Sequence, residues 1–357
     1  VHIIITGGGT GGHIFPALEI AKEFKAQDPG IKITYVGNKN GLEEKLAQKF
    51  GFTFLGLRTH KIVGQTFVHK LYALYFLTLA LLKSCWFLLK NKPDAVVGVG
   101  GYVSAPMLMA SFMLGIKRFI CEQNVVPGLA NKILAKIAHK IFTSFKESRA
   151  FFPESKIILS GNPVRKEFFA LAPKIFEHKV GLNILVSGGS MGASYINTHV
   201  PQAMALLRQH CPLLSITHQC GENKQAHVAQ SYENSHTKAQ VLSFIDNMPE
   251  AFKTHDLLIS RAGATVAAEI MAAGMPAILI PYRFANGHQR ENARALVQNH
   301  ASLMLEEQEN FSYELSQIIK NFYENKNKLE IISTHAQAMA KPRAAAIIVE
   351  TVLKECQ

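Results

Sequence analysis

One unit of sequence occurs twice. "HIIITGGGTGGHIFP", His2 to Pro16, and "LNILVSGGSMGASYIN", Leu182 to Asn197, each run an aliphatic stretch into a glycine-rich loop and then into helical spacing. A buried strand that feeds a helix through a tight glycine turn opens a parallel α/β unit. Two such openings, about half a chain length apart, predict two doubly wound domains with ligands in the cleft where the carboxyl ends of the sheets face each other. At 357 residues, 48% of them hydrophobic, the chain can supply two full cores. The boundary is expected within "SGNPVRKEFF", where Gly, Asn and Pro interrupt the pattern, giving domains 1–162 and 163–341.

Such loops hold anions. Glycines admit positive φ and close approach of a ligand, and a helix amino terminus presents N–H groups and positive dipole, so a phosphate-like group is the expected guest. Gly7, Gly9 and Gly12 satisfy the dinucleotide fingerprint, but the second strand, "IKITYVGN", ends in Gly37 and Asn38 without the acid that would hold a ribose, which weakens an NAD reading. No Gly-Lys-Ser/Thr follows, so a P-loop fails too. A third glycine turn, "DAVVGVGGYVSAP", brings Gly100, Gly101, Tyr102 and Ser104 to the same sheet edge, and "RFICEQN" delivers Glu122, Gln123 and Asn124. In the second half "DLLISRAGATVAAEIMAAGMPAILIP" sets Glu269 on an otherwise apolar helix, where it is either a solvated residue or a ligand acceptor. "ANGHQRENA" adds His288, Gln289 and Asn292.

The net charge of +12 is uneven: the first 165 residues hold 21 Lys/Arg against 9 Asp/Glu, and the remainder 17 against 17. The first half should therefore face something anionic. The basic residues are dispersed and accompany no nucleic-acid-binding motif, so no nucleic acid partner is expected. "HKLYALYFLTLALLKSCWFLLKNK", His69 to Lys92, is the most apolar helix-like stretch, with lysines around and within it. It suits a helix lying on an anionic membrane surface through Leu77, Leu81, Trp86 and Phe87, or else a core helix of a large α/β domain, with a true membrane span as the third and least favoured reading. The five cysteines are scattered, with no C-x-x-C, which argues against disulfides and zinc and fits a reducing cytoplasm. No basic and apolar leader precedes the first strand, so no secretory signal is expected.

Taken together, "GGTGGHIFPA", "GGYVSAP", "EQNVVPGLANK", "GNPVR", "GGSMGA", "FIDNM", "SRAGAT…AEI" and "HQRENA" stand in the order and spacing of one family. Over essentially its whole length the chain resembles the bacterial UDP-N-acetylglucosamine:undecaprenyl-pyrophosphoryl-muramoyl-pentapeptide N-acetylglucosaminyltransferases, of glycosyltransferase family 28. The resemblance implies an α/β GT-B fold, two Rossmann-like domains facing a central cleft, whose last helix, about 342–357, returns to the first domain. It implies an inverting transfer of GlcNAc from UDP-GlcNAc to the 4-hydroxyl of undecaprenyl-pyrophosphoryl-MurNAc-pentapeptide. The enzyme would act peripherally at the cytoplasmic face of the cell membrane, near other cell-wall synthesis or division proteins. The first domain would take the lipid-linked acceptor, with Thr10, Gly11 and Gly12 cradling its pyrophosphate and Tyr102 and Asn124 nearby. The second would take the donor. There, Arg165 and Ile245 match the segments that hold uracil, Glu269 the ribose acid, Ser190 to Ala193 with Gly192 the phosphate loop, Ala264 and Thr265 the second turn, and His288 and Gln289 the GlcNAc contacts.

Within that frame His13 stands beside the attacking sugar, as general base, or else as a hydrogen-bonding partner of the substrate or a cap of the helix, with Glu122 and an Asn124-bound water as the next candidates for the proton. No Asp-x-Asp is present, and helix N-termini and loop amides can stabilise the leaving UDP, so no cofactor is required, although a divalent cation could stimulate. Cys121, Met191 and Val266 depart from residues common in the family and bear on donor and loop contacts. The competing readings are a UDP-GlcNAc 2-epimerase-like enzyme and a non-catalytic nucleotide-sugar-binding protein of the membrane surface.

Overall fold

The computed structural model of the chain describes residues 1–59, 67–172, 174–176, 179–189, 191–284 and 287–357, and within these the side chains of all but 67, 68, 70 and 71. The chain divides into two compact units, Val1–Arg165 with Pro342–Gln357, and Lys166–Lys341. The division falls after Arg165, inside the punctuated segment.

The first unit is a seven-stranded sheet of β1 (His2–Gly7), β2 (Lys32–Asn38), β3 (Thr53–Leu57), β4 (Ala95–Gly100), β5 (Lys117–Glu122), β6 (Lys140–Thr143) and β7 (Ile157–Leu159), in the order β3-β2-β1-β4-β5-β6-β7 with every pairing parallel. Its helices are α1 (Gly11–Gln27), α2 (Leu42–Lys49), α3 (Phe67–Asn91), α4 (Ser104–Met113), α5 (Leu129–Leu134) and, from the far end of the chain, α14 (Ala344–Cys356). A parallel sheet covered on both faces must be apolar on both, which is why β1 reads as an unbroken apolar run. Ile3 and Ile5 point into one core layer with Phe24 of α1 and Ile348, Val349 and Val352 of α14, while Ile4 enters the opposite layer with Leu88 of α3 and Met107 and Leu108 of α4.

The second unit is a six-stranded parallel sheet of β8 (Leu182–Ser187), β9 (Leu214–Gln219), β10 (Gln240–Leu242), β11 (Leu257–Ser260), β12 (Ala277–Leu279) and β13 (Leu303–Met304), in the order β10-β9-β8-β11-β12-β13. Its helices are α6 (Lys166–Phe169), α7 (Ser194–Leu207), α8 (Gln225–Asn234), α9 (Met248–Thr254), α10 (Ala264–Ala273), α11 (His288–Gln298), α12 (Phe311–Glu324) and α13 (Asn327–Ala338). In each sheet the strand order reverses beside the opening strand, between β1 and β4 and between β8 and β11. These switch points are where doubly wound sheets leave a crevice at their carboxyl edge.

Two local expectations are corrected. The helical spacing of Ala17, Leu18, Ile20, Ala21 and Phe24 places a helix after Pro16, yet α1 begins at Gly11 and Pro16 lies inside it. Thr10, in extended conformation, ends the loop, and its carbonyl accepts the N–H groups of His13 and Ile14, both at 3.1 Å. The loop is therefore shorter than its glycine content suggests, and His13 sits in the first helical turn.

The second correction concerns α3. Ala73, Ala80, Ser84 and Leu88 form its buried stripe, toward α4, and Leu81 and Phe87 pack against the same core while Leu77 is half-buried. Of the four residues expected at a membrane only Trp86 lies on the exposed face. That face carries Tyr72, Tyr75, Leu79, Leu82, Trp86 and Leu89, repeating every three or four residues and each more than 40% exposed. By length and composition alone the segment Tyr72–Asn91 could cross a membrane. Its buried stripe, however, is built into the core of the first unit, with Ala80 and Leu88 packed beside Met107 and Leu108 of α4.

Candidate functional site

At the β1/β4 switch point two glycine turns lie against each other. The Gly8 N–H donates to the Gly100 carbonyl (3.4 Å), and Gly101, at φ +83°, would drive a Cβ to within 2.3 Å of the Gly8 carbonyl oxygen, so only glycine permits the approach. Ser104 Oγ, at the start of α4, ties the two strand ends together through the carbonyls of Thr6 (2.9 Å) and Gly100 (2.8 Å). Tyr35 donates its hydroxyl to the Gly7 carbonyl at 2.9 Å. Thr10 is exposed at the loop tip, and its hydroxyl does not cap α1. Gly11, Gly12 and Tyr102 are half-buried around the same edge.

His13 rests against this construction. Its Nδ1 edge faces Gly100, where a Cβ would come within 2.5 Å, and the buried Nδ1 makes no hydrogen bond of good geometry. Burial pushes the imidazole pKa below its ordinary 6.5, against opposite pulls from Glu122, the Gln123 side chain and the Val99 carbonyl. Its place in the first turn of α1, at the positive end of the helix, also disfavours the imidazolium. Burial and the helix end both favour the neutral imidazole, the form that can accept a proton, next to an anion-type loop.

Glu122 is placed differently. Its Oε1 accepts from the Asn124 N–H (2.9 Å) and Asn124 Nδ2 (3.2 Å), and its Oε2 accepts from the Gly128 N–H (3.1 Å) and Asn131 Nδ2 (2.9 Å). Both oxygens of this buried carboxylate are engaged by donors, so it clamps the 124–131 segment and holds Asn124, whose carbonyl also receives Ser148 Oγ at 3.0 Å. Arg165 lays its guanidinium over the Phe15 ring at 5.9 Å.

Sequence reasoning missed Glu43. This buried acid of α2 accepts the Asn38 N–H (2.9 Å) and the Gly9 N–H (3.3 Å) on one oxygen and packs among Gly8, Gly37 and Gly41. An acid does reach the loop, therefore, but from the helix after β2, and it is spent on loop backbone. Three glycines around one glutamate, at 8, 37 and 41, were the available signal.

At the β8/β11 switch point the second glycine loop, Gly188–Ala193, bends through Gly192 at φ +69°, where a Cβ would fall 1.8 Å from the Cys220 carbonyl oxygen. Ser190 lies outside the described residues. Met191 is 82% exposed, and its carbonyl receives Lys224 Nζ at 3.0 Å. The turn after β11 leads into α10 through Gly263, which carries no capping side chain. Thr265 and Glu269, four residues apart and both half-buried, share one face of that helix, with Ala264 and Val266 in its first turn. Ile245 is half-buried in the link from β10 to α9. His288 and Gln289 open α11, and Gln289 Oε1 accepts the Tyr282 N–H at 2.9 Å. Asn292 is buried, and its Nδ2 donates to the Ala262 carbonyl at 3.2 Å. Among the described residues no three His, Cys, Asp or Glu converge as metal ligands.

Each unit thus offers a glycine-lined switch point with a helix amino terminus beside it, the architecture of nucleotide-sugar transferases. The glycosyltransferase family 28 N-terminal domain matches residues 3–143 and the family 28 C-terminal domain residues 183–348. The chain belongs to glycosyltransferase family 28, with the two parallel-sheet domains of the GT-B fold. It is 40% identical over 357 residues to a protein of Geotalea uraniireducens described as UDP-N-acetylglucosamine--N-acetylmuramyl-(pentapeptide) pyrophosphoryl-undecaprenol N-acetylglucosamine transferase, covering 99% of this chain and 98% of that one. A protein of the same description from Geobacter metallireducens is 39% identical with the same coverage. The crystal structure of Acinetobacter baumannii MurG superposes with a TM-score of 0.79 at 29% identity, covering 99% of each chain. The UDP-GlcNAc 2-epimerase of Neisseria meningitidis, solved with UDP-GlcNAc bound, has a TM-score of 0.71 at 13% identity over 99% of this chain and 100% of that one, a likeness of fold.

Proposed function

We infer that this chain is an inverting N-acetylglucosaminyltransferase that moves GlcNAc from UDP-GlcNAc to the 4-hydroxyl of undecaprenyl-pyrophosphoryl-MurNAc-pentapeptide in peptidoglycan synthesis. The observation that carries the reading is full-length similarity, at 40% identity, to transferases of that description. An epimerase-like activity has only the fold in its favour. In the reaction the acceptor oxygen attacks the anomeric carbon of GlcNAc from the face opposite UDP, the bond from that carbon to the phosphate oxygen breaks, and the hydroxyl proton must be taken up as attack proceeds. We assign that proton to His13, since burial biases its imidazole toward the neutral form and it adjoins the loop that suits the acceptor pyrophosphate. Thr10, Gly11 and Gly12 bind that pyrophosphate. In the second unit the Gly188–Ala193 loop and the first turn of α10 receive the donor phosphates, and Glu269 the ribose hydroxyls. These amides and helix ends can carry the charge developing on UDP, so the reaction requires no bound metal. The test is to incubate the protein, with and without chelator, with labelled UDP-GlcNAc and the lipid-linked muramoyl acceptor. Label in the lipid product supports the assignment, and unchanged or epimerised donor overturns it.

Glu269→Ala should weaken UDP and UDP-GlcNAc alike, by roughly 10- to 100-fold, because it removes charge-assisted hydrogen bonds to the ribose and touches no sugar contact. Equal UDP affinity in calorimetric titration of the variant and the native protein would make Glu269 a bystander.

The exposed face of α3 supports peripheral attachment to an anionic membrane at its cytoplasmic side. Lys90 lies over the Trp86 ring at 5.1 Å, Met109, Phe112 and Met113 of the neighbouring α4 are exposed, and Arg118 stacks on Phe112 at 4.9 Å. Apolar side chains edged by cations are the composition of an interfacial surface. Changing Leu82, Trp86 and Leu89 together to Ser should release the protein from sedimenting anionic vesicles while UDP binding stays unchanged. Retention on the vesicles would remove α3 from the contact.

A further inference from the structure

The donor loop has a back wall that no assigned role explains. Behind Gly192 stands the segment that continues β9, Gln219–Cys220–Gly221, so close that neither Gly192 nor Gly221 has room for a side chain. This wall is tied on both sides. The Gly188 N–H donates to the Gln219 carbonyl (3.4 Å), and Gln219 Nε2 donates to the Gly189 carbonyl (3.1 Å). Cys220 donates its N–H to the Leu242 carbonyl (2.9 Å), and its own carbonyl accepts Asn197 Nδ2 at 2.9 Å, the atom being the one that Gly192 touches.

Asn197 belongs to α7, the helix that the donor loop feeds, and its N–H donates to the Ala193 carbonyl at 2.9 Å. With its amide nitrogen committed to Cys220, its Oδ1 is the atom that meets His218 Nε2 at 3.1 Å, so that nitrogen carries the hydrogen. His218 Nδ1 is then the acceptor for the Tyr232 hydroxyl at 2.9 Å. All three side chains are buried, with His218 fully inaccessible, and every bond in the series has one possible direction. Burial pushes the His218 pKa down to about 4, which keeps the ring neutral and this direction fixed at ordinary pH.

A chain of buried polar groups ending on a bare backbone carbonyl is costly unless fully paired, and here its terminus is the carbonyl against which the phosphate loop turns. We propose that Asn197, oriented by His218 and Tyr232, is a positioning residue for the donor: it fixes the Cys220 carbonyl and thereby the turn at Gly192 beside the donor phosphates. The proposal rests on the donor reading of the second unit given above. All three side chains are buried, and the series meets the loop through the Cys220 carbonyl.

The experiment uses the full chain and four variants, Asn197→Ala, Asn197→Asp, His218→Gln and Tyr232→Phe, each measured for melting temperature, UDP affinity by calorimetry, and kcat and KM for both substrates. Asn197→Ala should weaken UDP and raise the KM for UDP-GlcNAc about tenfold, the loss of roughly one buried hydrogen bond's orientation, with the acceptor KM within about twofold. Asn197→Asp, which turns a carboxylate oxygen on the Cys220 carbonyl, should be at least as severe. His218→Gln, which can still donate to Asn197, should recover most of the affinity. Tyr232→Phe removes a single oxygen far from the loop and should cost about two- to threefold, so the proposal stays testable if either Asn197 variant fails to fold. Variants that melt earlier yet bind UDP as the native protein does would reduce the series to core packing and overturn the proposal, as would equal losses for both substrates. If the native protein itself binds no UDP, it is the donor reading that fails.

Discussion

His13→Ala should lower kcat by on the order of 10²- to 10⁴-fold while leaving UDP-GlcNAc affinity nearly unchanged, since a general base acts on the proton only as the acceptor hydroxyl attacks. Thr10→Ala is the control. It alters the same loop without removing an ionisable group, and its loss should appear chiefly as a raised acceptor KM. Similar modest effects of the two substitutions would reduce His13 to a binding residue. The pH dependence gives a second check. Burial lowers the His13 pKa in the free enzyme, so the neutral form that can take a proton persists to lower pH than in an ordinary histidine and is lost as the pH falls through the lowered value. The acid limb of kcat/KM, which reports the free enzyme, should therefore lie below pH 6.5. The limb of kcat should lie at higher pH, because a bound pyrophosphate beside the ring favours the imidazolium. A kcat/KM limb above 6.5 that vanishes in no His13 variant would assign the titration to another group.

Glu122→Ala should destabilise the first unit by about 3 kcal/mol, lowering its melting midpoint by roughly 6–12 °C, because it strips the acceptor from four donors held at 2.9–3.2 Å around one carboxylate. Glu122→Gln should recover only part of that loss, since its amide nitrogen must face donors. Activity should fall with the clamp: Asn124 loses its hold, and kcat drops in both variants in proportion to their destabilisation. A Glu122→Gln protein with native stability and kcat reduced as far as in His13→Ala would instead identify Glu122 as the proton acceptor.

The legible parts of this protein are those whose physics is local. Ile3 to Ile5 and Ile184 to Val186 must be buried strands, and the glycine turns behind them must hold something close to backbone, so the doubly wound halves follow from two short segments. The start of α1 did not follow, because Gly11, Gly12 and Pro16 are all poor helix formers and local propensity ends the helix where tertiary packing continues it. Apolarity marked α3, but the helix phase that puts Trp86 outside and Leu81 and Phe87 against the core depends on what α4 covers. Glu43 and the Asn197–His218–Tyr232 series were hidden for a simpler reason. Their partners lie 34 residues away at Gly9, and at 21 and 14 residues from His218, distances over which periodicity carries no information.

The pairing of α14 with α1 has a consequence for how the protein is made. Ile348, Val349 and Val352 complete the layer that holds Ile3, Ile5 and Phe24, yet the ribosome delivers them after the entire second unit. During synthesis the unit begun first must therefore wait, its apolar groove on α1 uncovered, while Lys166–Lys341 is built and can close its own core. A chain that stops before residue 344 would carry every strand of both sheets and still lack the residues that complete the layer of Ile3, Ile5 and Phe24.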